Sequence, residues 1–573
     1  MTPSGESRPA RPSRRTFIRR VASVGFGLAA VPLAAACAPI QPSAPTVAPK
    51  PAAPAPASPA AQAPTAPAAT PAAAAPKPAA PAATPPVAAA QAPAAPKAGG
   101  VLRLVQTSDV APREPHLLQA ANAPIALSIW DTLIRFDRQL KPQPVLAESW
   151  SWSADNRALT LKLRRGVQFH SGRELTAEDI EFNVARMREP GVGSQMRGAA
   201  TLVKTIERPD SHTVVLGFDA PYPAIFDMLD TMVVVDRETV GDLGGGKVIG
   251  TGPFVWKEWG PNEKVVLEKN PRYWQSGAPL LDRIEATIIG DVQAMAVQFE
   301  AGAQDVALRV SAQDFTRLKG DAKFRAEVME SGSGYLYVAA DVTIPPLDKK
   351  EVRQAINHAI NRERFVQTAL SGIGRATTLP WPTFSPAYDA ALDGGIRYDP
   401  ERARALLAQA GVAGGVELPI TFNTQRTATN GKLVEILQAD LGQIGVRLTP
   451  QSQENTVFQR TLNEGKFGGL FSHSHGFSNR TPAALFVQAF PFRKQNASNF
   501  SSPEFTRIVD GIQGEVDEAK LRSLYGEMNR LLLDEAFIMD VSTDPGNFVV
   551  KASVQDIDYS LQEWWVLHRA TVG

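Results

Sequence analysis

Cysteine is all but missing from this chain of 573 residues, where Cys37 stands alone. A single thiol cannot close an intramolecular disulfide, and Cys-based zinc or redox frameworks are excluded with it. The Gly-x-Ser-x-Gly turn of serine hydrolases and the His-Glu-x-x-His pair of zinc proteases are absent as well. Gly244-Gly245-Gly246-Lys247 falls short of a phosphate loop, because Val248 occupies the place that needs Ser or Thr. No hydrophobic run is long enough to span a bilayer: the stretch Val21 to Ala36 is about 16 residues against the ~20 required, and it contains Pro32. These absences argue against an enzyme, and no cofactor or resident metal is expected.

Acidic residues are scarce at the front of the chain. Residues 1–37 carry six Arg against one Glu, and Lys50, Lys77 and Lys97 follow. Subtracting these nine bases and one acid from totals of 59 and 58 leaves 50 and 57, a net of −7 for the remainder. A nucleic-acid partner, which calls for a basic face, is therefore not expected.

The front end reads as a targeting segment. Arg14 and Arg15 within Ser13–Arg19 resemble the twin-arginine export signal, and the short apolar stretch behind them suits a signal-peptide core. Leu33-Ala34-Ala35-Ala36-Cys37 resembles a lipobox with its leucine one place early, which makes Cys37 a lipidation candidate. Ala34-Ala35-Ala36 equally satisfies an Ala-x-Ala cleavage site that would release a soluble protein. Residues 38–98, almost all Ala and Pro, form a semi-rigid tether of up to ~190 Å at ~3.1 Å per residue.

From Gly99 onward the composition is that of a folded protein. Val101–Val105 predicts a first strand, Ser151–Asn156 a hairpin turn into the alternating strand Ala158–Leu163, and Thr176 a cap for a helix through Met187. Val352, Ile356 and Ile360 recur at helical spacing and predict core positions. Asp399 and Pro400 read as cap and first residue of a helix that Gly411 ends.

Several strings together are similar to the family 5 extracellular solute-binding proteins, which bind dipeptides, oligopeptides and nickel. They are "LAESWSWSADNRALTLKLRRGVQFHSGRELTAEDIEFNVAR" at 146–186, "IGTGPFVWKEW" at 249–259, "NPRYW" at 270–274, "KEVRQAINHAINRERF" at 350–365 and "YDPERARALLAQAG" at 398–411. The resemblance implies an α/β, two-lobed periplasmic-binding-protein-like fold of the large class II type. Its first lobe would be discontinuous, 99–334 plus 541–573, its second 335–540, with a hinge between them and a ligand in the cleft.

Peptide binders of the family commonly hold an aspartate, in a Gly-Trp-x-x-Asp-Tyr-like segment, against the peptide amino terminus. The corresponding 469–477 segment has none and offers Phe471, His473, His475 and Phe477 instead. In an extended segment His473 and His475 share one side, where they can meet a ligand or remain ordinary loop histidines. Trp381, Tyr388, Thr107, Asp109 and Arg480 complete the candidate ligand-binding set, with core packing or a solvated surface as the alternative for each. The expected function is that of an extracytoplasmic binding protein that delivers a peptide or peptide-like solute to the permease and ATPase subunits of an ABC importer. An oligosaccharide or metal chelate as ligand, or a role as an anchored ligand sensor, are the alternatives. The protein is expected to be a monomer, held to the membrane through a lipid on Cys37 or free in the periplasm.

Overall fold

The strand Val101–Gln106 lies at the centre of a seven-stranded sheet, parallel to Arg283–Ile288 on one side and Val306–Leu308 on the other. The order across the sheet is Phe324–Val328, Asn547–Lys551, Val306–Leu308, Val101–Gln106, Arg283–Ile288, Lys264–Lys269 and Phe254–Gly260. The structure, a computed structural model, describes residues 98–573 apart from 111–113, 118–121, 330–333, 425–426 and 477–479. Arg14, Arg15, Cys37, the Ala/Pro tether and Phe477 lie outside the described residues.

Between the first strand and the rest of that sheet the chain builds a four-stranded antiparallel sheet from Ala147–Trp152, Ala158–Leu163, Thr213–Phe218 and Val203–Asp210. Asn156, at φ 56, turns the expected hairpin. The helix Ala177–Arg188 covers this sheet, and the Thr176 N–H donates to the Asp179 carboxylate at 3.0 Å across its first turn.

The third sheet has five strands, in the order Val446–Gln453, Val416–Asn423, Leu470–His475, Tyr335–Ala340 and Ile538–Thr543. Every residue of Tyr335–Ala340 is buried. Leu336, Val338 and Ala340 face the helices Lys350–Ala359, Pro400–Gln409 and Lys432–Gly442, where Val352, Ile356 and Ile360 join their core. Asp399 caps the second of these helices by accepting from Arg402 N at 2.8 Å, and Gly411 follows its end at φ 75. Tyr337 and Ala339 face the opposite way, into the largest core cluster, which runs from the four-stranded sheet (Leu159, Leu161, Leu216) to Trp381, Phe486 and Phe505.

The chain crosses between the seven- and five-stranded sheets twice, after Val328 and after Thr543. Ile538–Thr543 keeps its pairing with Tyr335–Ala340 to its last residue, so the return crossing falls at 544–546, past the expected 540–541. Trp564 and Trp565 are both core, the second packed on Phe548 with ring centroids 4.8 Å apart.

Gly250 and Gly252 let two distant backbones touch. A Cβ on Gly250 would meet the Ile129 carbonyl oxygen at 1.9 Å, and one on Gly252 would meet the Ile129 carbonyl carbon at 2.6 Å. Gly252 N donates to that same carbonyl at 2.9 Å, so the two backbones touch with no room between them. Gly250→Ala is expected to cost about 1–3 kcal/mol by overpacking, read as a lower denaturation midpoint with an unchanged slope. An unchanged midpoint would show that the backbones separate freely.

Candidate functional site

A cavity of about 920 Å3 opens between residues of the seven-stranded region and residues of the five-stranded region. Arg138, Gln139, Phe315, Lys319, Glu327 and Tyr559 line it from the first, and Tyr335, Arg375, Pro382, Phe384 and Thr543 from the second. A smaller hollow of about 90 Å3, lined by Thr107, Leu308 and Trp565 among others, shares Met329 with it.

Arg375 is the most firmly placed charged side chain on the wall. It follows Gly372 and Gly374, at φ 77 and 104, and a Cβ on Gly374 would meet the Thr543 carbonyl oxygen at 2.6 Å. That close approach lets Arg375 N donate to Thr543 Oγ1 at 2.7 Å and Thr543 N donate to the Arg375 carbonyl at 2.9 Å. The guanidinium is paired with Asp393 and lies 5.3 Å from the Tyr388 ring centroid. Asp393 also accepts from Thr377 Oγ1 and Thr378 N, each at 2.7 Å. Burial works against the charge on Arg375, but the Asp393 carboxylate outweighs it and holds the pKa above the usual value. Opposite, Arg138 lies 4.3 Å from the Tyr559 ring centroid and pairs with Asp558 at 3.3 Å, while Glu327 is tied to Arg325.

Of the residues expected from the sequence, Thr107 reaches the small hollow and Tyr388 reaches the cavity indirectly, through Arg375. Trp381, Phe471, Asp109 and Arg480 have partners inside the protein. Trp381 is 1% exposed, and its Nε1 donates to Asn529 Oδ1 at 2.7 Å. Phe471 is fully buried and stacks on Phe467 with centroids 3.9 Å apart. Asp109 accepts from Trp259 Nε1 at 3.1 Å and from Asn262 N at 2.8 Å, which fixes its loop. Arg480 is buried beside Asp227 and Asp230, and its Nη1 donates to the Asp227 carbonyl at 3.4 Å. These four are core or structural residues because each has a complementary partner close by.

The two histidines do share one side of their strand, as extended spacing requires, but they face the interior. His473 is half-buried with its ring 4.9 Å from Phe458. His475 stacks on Tyr335 at 5.7 Å, and neither of its ring nitrogens has a hydrogen-bond partner. Asp540 sits 4.0 Å from it, also buried. Burial, aided by His473, lowers the His475 pKa to about 3; burial raises that of Asp540 to about 8 against the pull of Arg362. Desolvation is the largest cause for each, and both are neutral near pH 7. Sequence reasoning missed Arg375, Lys319, Tyr335 and Phe384. The two glycines just before Arg375 were the one local signal for any of them.

The pattern described as bacterial extracellular solute-binding proteins, family 5, middle region, matches residues 141–496, well over half of the chain. The chain belongs to family 5 of the bacterial extracellular solute-binding proteins. It is 26% identical to heme-binding protein A of Haemophilus influenzae over 71% of this chain and 80% of that one. It is also 26% identical to di/tripeptide-binding protein 1 of Pseudomonas aeruginosa, over 76% and 87% respectively. Among solved structures, the family 5 fold matches NikA from Brucella suis in complex with Fe(III)-EDTA, with a TM-score of 0.73 at 21% identity over 83% of this chain and 100% of that one. The fold is thus that of the periplasmic binding proteins. Family 5 proteins bind solutes outside the cytoplasm, and no helix among the described residues is long and apolar enough to cross a membrane.

The buried pair makes the stability of this family 5 protein depend on pH in a definite sense. Folded Asp540 keeps its proton up to about pH 8, whereas the unfolded group loses it near 3.8, so stability falls as pH rises through that window. Folded His475 takes up a proton only near pH 3, against 6.5 when unfolded, so stability falls as pH drops below 6.5. Asp540→Asn, neutral at all pH, is expected to raise the melting temperature at pH 8 by a few degrees and to flatten its decline between pH 6 and 8. An equal decline in both proteins, measured by calorimetry, would refute the assignment.

Proposed function

We propose that this protein captures a peptide-like solute in the cavity between two lobes and passes it to the permease of an ABC importer, whose ATPase subunits drive uptake. The observation that carries the reading is the cavity of about 920 Å3 with walls contributed by both sides of the double crossing. Its size lies within the ~300–1,000 Å3 usual for small-molecule sites. Lobe I is taken as residues 99–334 with the carboxyl-terminal segment, and lobe II as the intervening chain. Movement about the two crossings admits the solute, which favours the closed form by its greater affinity for it. The di/tripeptide-binding relative and the glutathione-binding protein of Pectobacterium atrosepticum, 27% identical over 70% of this chain, support a peptide-like cargo.

The same reading places the protein outside the cytoplasm as a monomer, exported through Arg14 and Arg15 and held by a lipid on Cys37, with the Ala/Pro tether as spacer. Catalysis has no part in it. Cys37→Ser is expected to move the protein from the membrane pellet to the soluble fraction after cell breakage. An unchanged soluble distribution in both proteins would favour cleavage after Ala36 without lipidation.

The cargo is tested by the thermal stability of the purified protein against di- and tripeptides, glutathione, oligosaccharides and nickel chelates. A cargo at one hundred times its dissociation constant adds about 2.7 kcal/mol. Stabilisation by peptides that is lost in Phe384→Ala supports the proposal. A response confined to sugars or chelates would replace the cargo, and no response to any of them would favour a sensor that has left transport.

A further inference from the structure

Four charged side chains line the cavity, and three of them are tied to an opposite charge, Arg138 to Asp558, Arg375 to Asp393 and Glu327 to Arg325, so that Lys319 is the charge among them left over. An ammonium group entering this space would meet cations, and a carboxylate would meet donors.

Arg375 is built as a receiver. Its backbone is fixed on both sides by Thr543, its carboxylate partner Asp393 shares its charge with Thr377 and Thr378, and Tyr388 lies against the guanidinium. The side chain nonetheless remains 35% exposed at the cavity wall. Its remaining bonds, to the carbonyls of Ala376 and Trp381, are long at 3.4 Å each and leave donors for a stronger acceptor. A guanidinium held this way loses little freedom when an oxyanion docks, and its planar fork matches a carboxylate. Beside it lies the Tyr335 hydroxyl, buried in the same wall and in contact with the guanidinium.

We infer that the cargo carries a carboxylate that docks on Arg375, and that this anionic end, with no requirement for a free amine, is what the cleft selects. The inference rests on the cavity being the solute site. It makes Arg375 a specificity-determining residue and the cargo class acidic, amine-blocked peptides and related carboxylates included.

The test is retention on the purified full chain, by equilibrium dialysis, of one tripeptide library in three forms: free, carboxyl-amidated and amino-acetylated. Glutarate, a dicarboxylate with neither amine nor peptide bond, is the fourth probe. The free and acetylated forms are expected to bind alike, and the amides at least tenfold more weakly. In Arg375→Gln the gap between acid and amide should close, and in Arg375→Lys it should narrow while melting stays cooperative. Amides binding as well as acids to the unaltered chain would overturn the inference and leave the peptide reading standing, even if neither variant folds. Acetylated forms failing while amides bind would overturn it in the same way. Glutarate binding without any peptide would uphold the inference and overturn the peptide reading, and retention of none of the four would overturn both.

Discussion

A strand buried on both of its faces cannot carry charge beside it cheaply, and Tyr335–Ala340 is such a strand at the centre of the cleft architecture. On one face it anchors the helical layer through Leu336, Val338 and Ala340. On the other it sets Tyr335 and Tyr337 among His475, Asp540 and the aromatic core. The low dielectric there forces His475 and Asp540 into their neutral forms although they stand 4.0 Å apart. Charge recognition is therefore displaced to the strand's end, where Arg375 is braced against Thr543 of the adjoining strand and meets the cavity.

A second buried polar joint ties distant parts of the chain. Thr481 donates to the Asp227 carboxylate from its backbone N–H at 2.9 Å and from Oγ1 at 2.6 Å, and Arg480 lies alongside with Asp230. Burial raises the Asp227 pKa to about 6 despite these donors. Breaking one member of such a cluster strands the others without solvent, which commonly costs ~3–5 kcal/mol.

Local signals in the sequence were legible where the cause is local. Asp399-Pro400 caps its helix, Val352, Ile356 and Ile360 fill a core, and Asn156 turns a hairpin, all from residues within a few positions of one another. The cavity wall was not legible, because Arg138 and Tyr559 meet across 421 positions and Arg375 meets Thr543 across 168. Trp381 and Phe471 had both a ligand-binding and a core reading for the same reason: an aromatic side chain looks alike in sequence whether Asn529 or a ligand awaits it. Nothing next to Gly250 and Gly252 in the sequence shows what requires them, which is the Ile129 carbonyl, more than a hundred positions earlier.

The strand Asn547–Lys551 lies between Val306–Leu308 and Phe324–Val328, two strands that precede it by more than two hundred residues. Until it arrives, both flanking strands present unpaired backbone donors and acceptors to whatever is nearby. A chain emerging from the ribosome therefore cannot complete its seven-stranded sheet before residue 551 has been synthesised. A product that stops short of Asn547–Lys551 is left with an open seam in this sheet that invites aggregation.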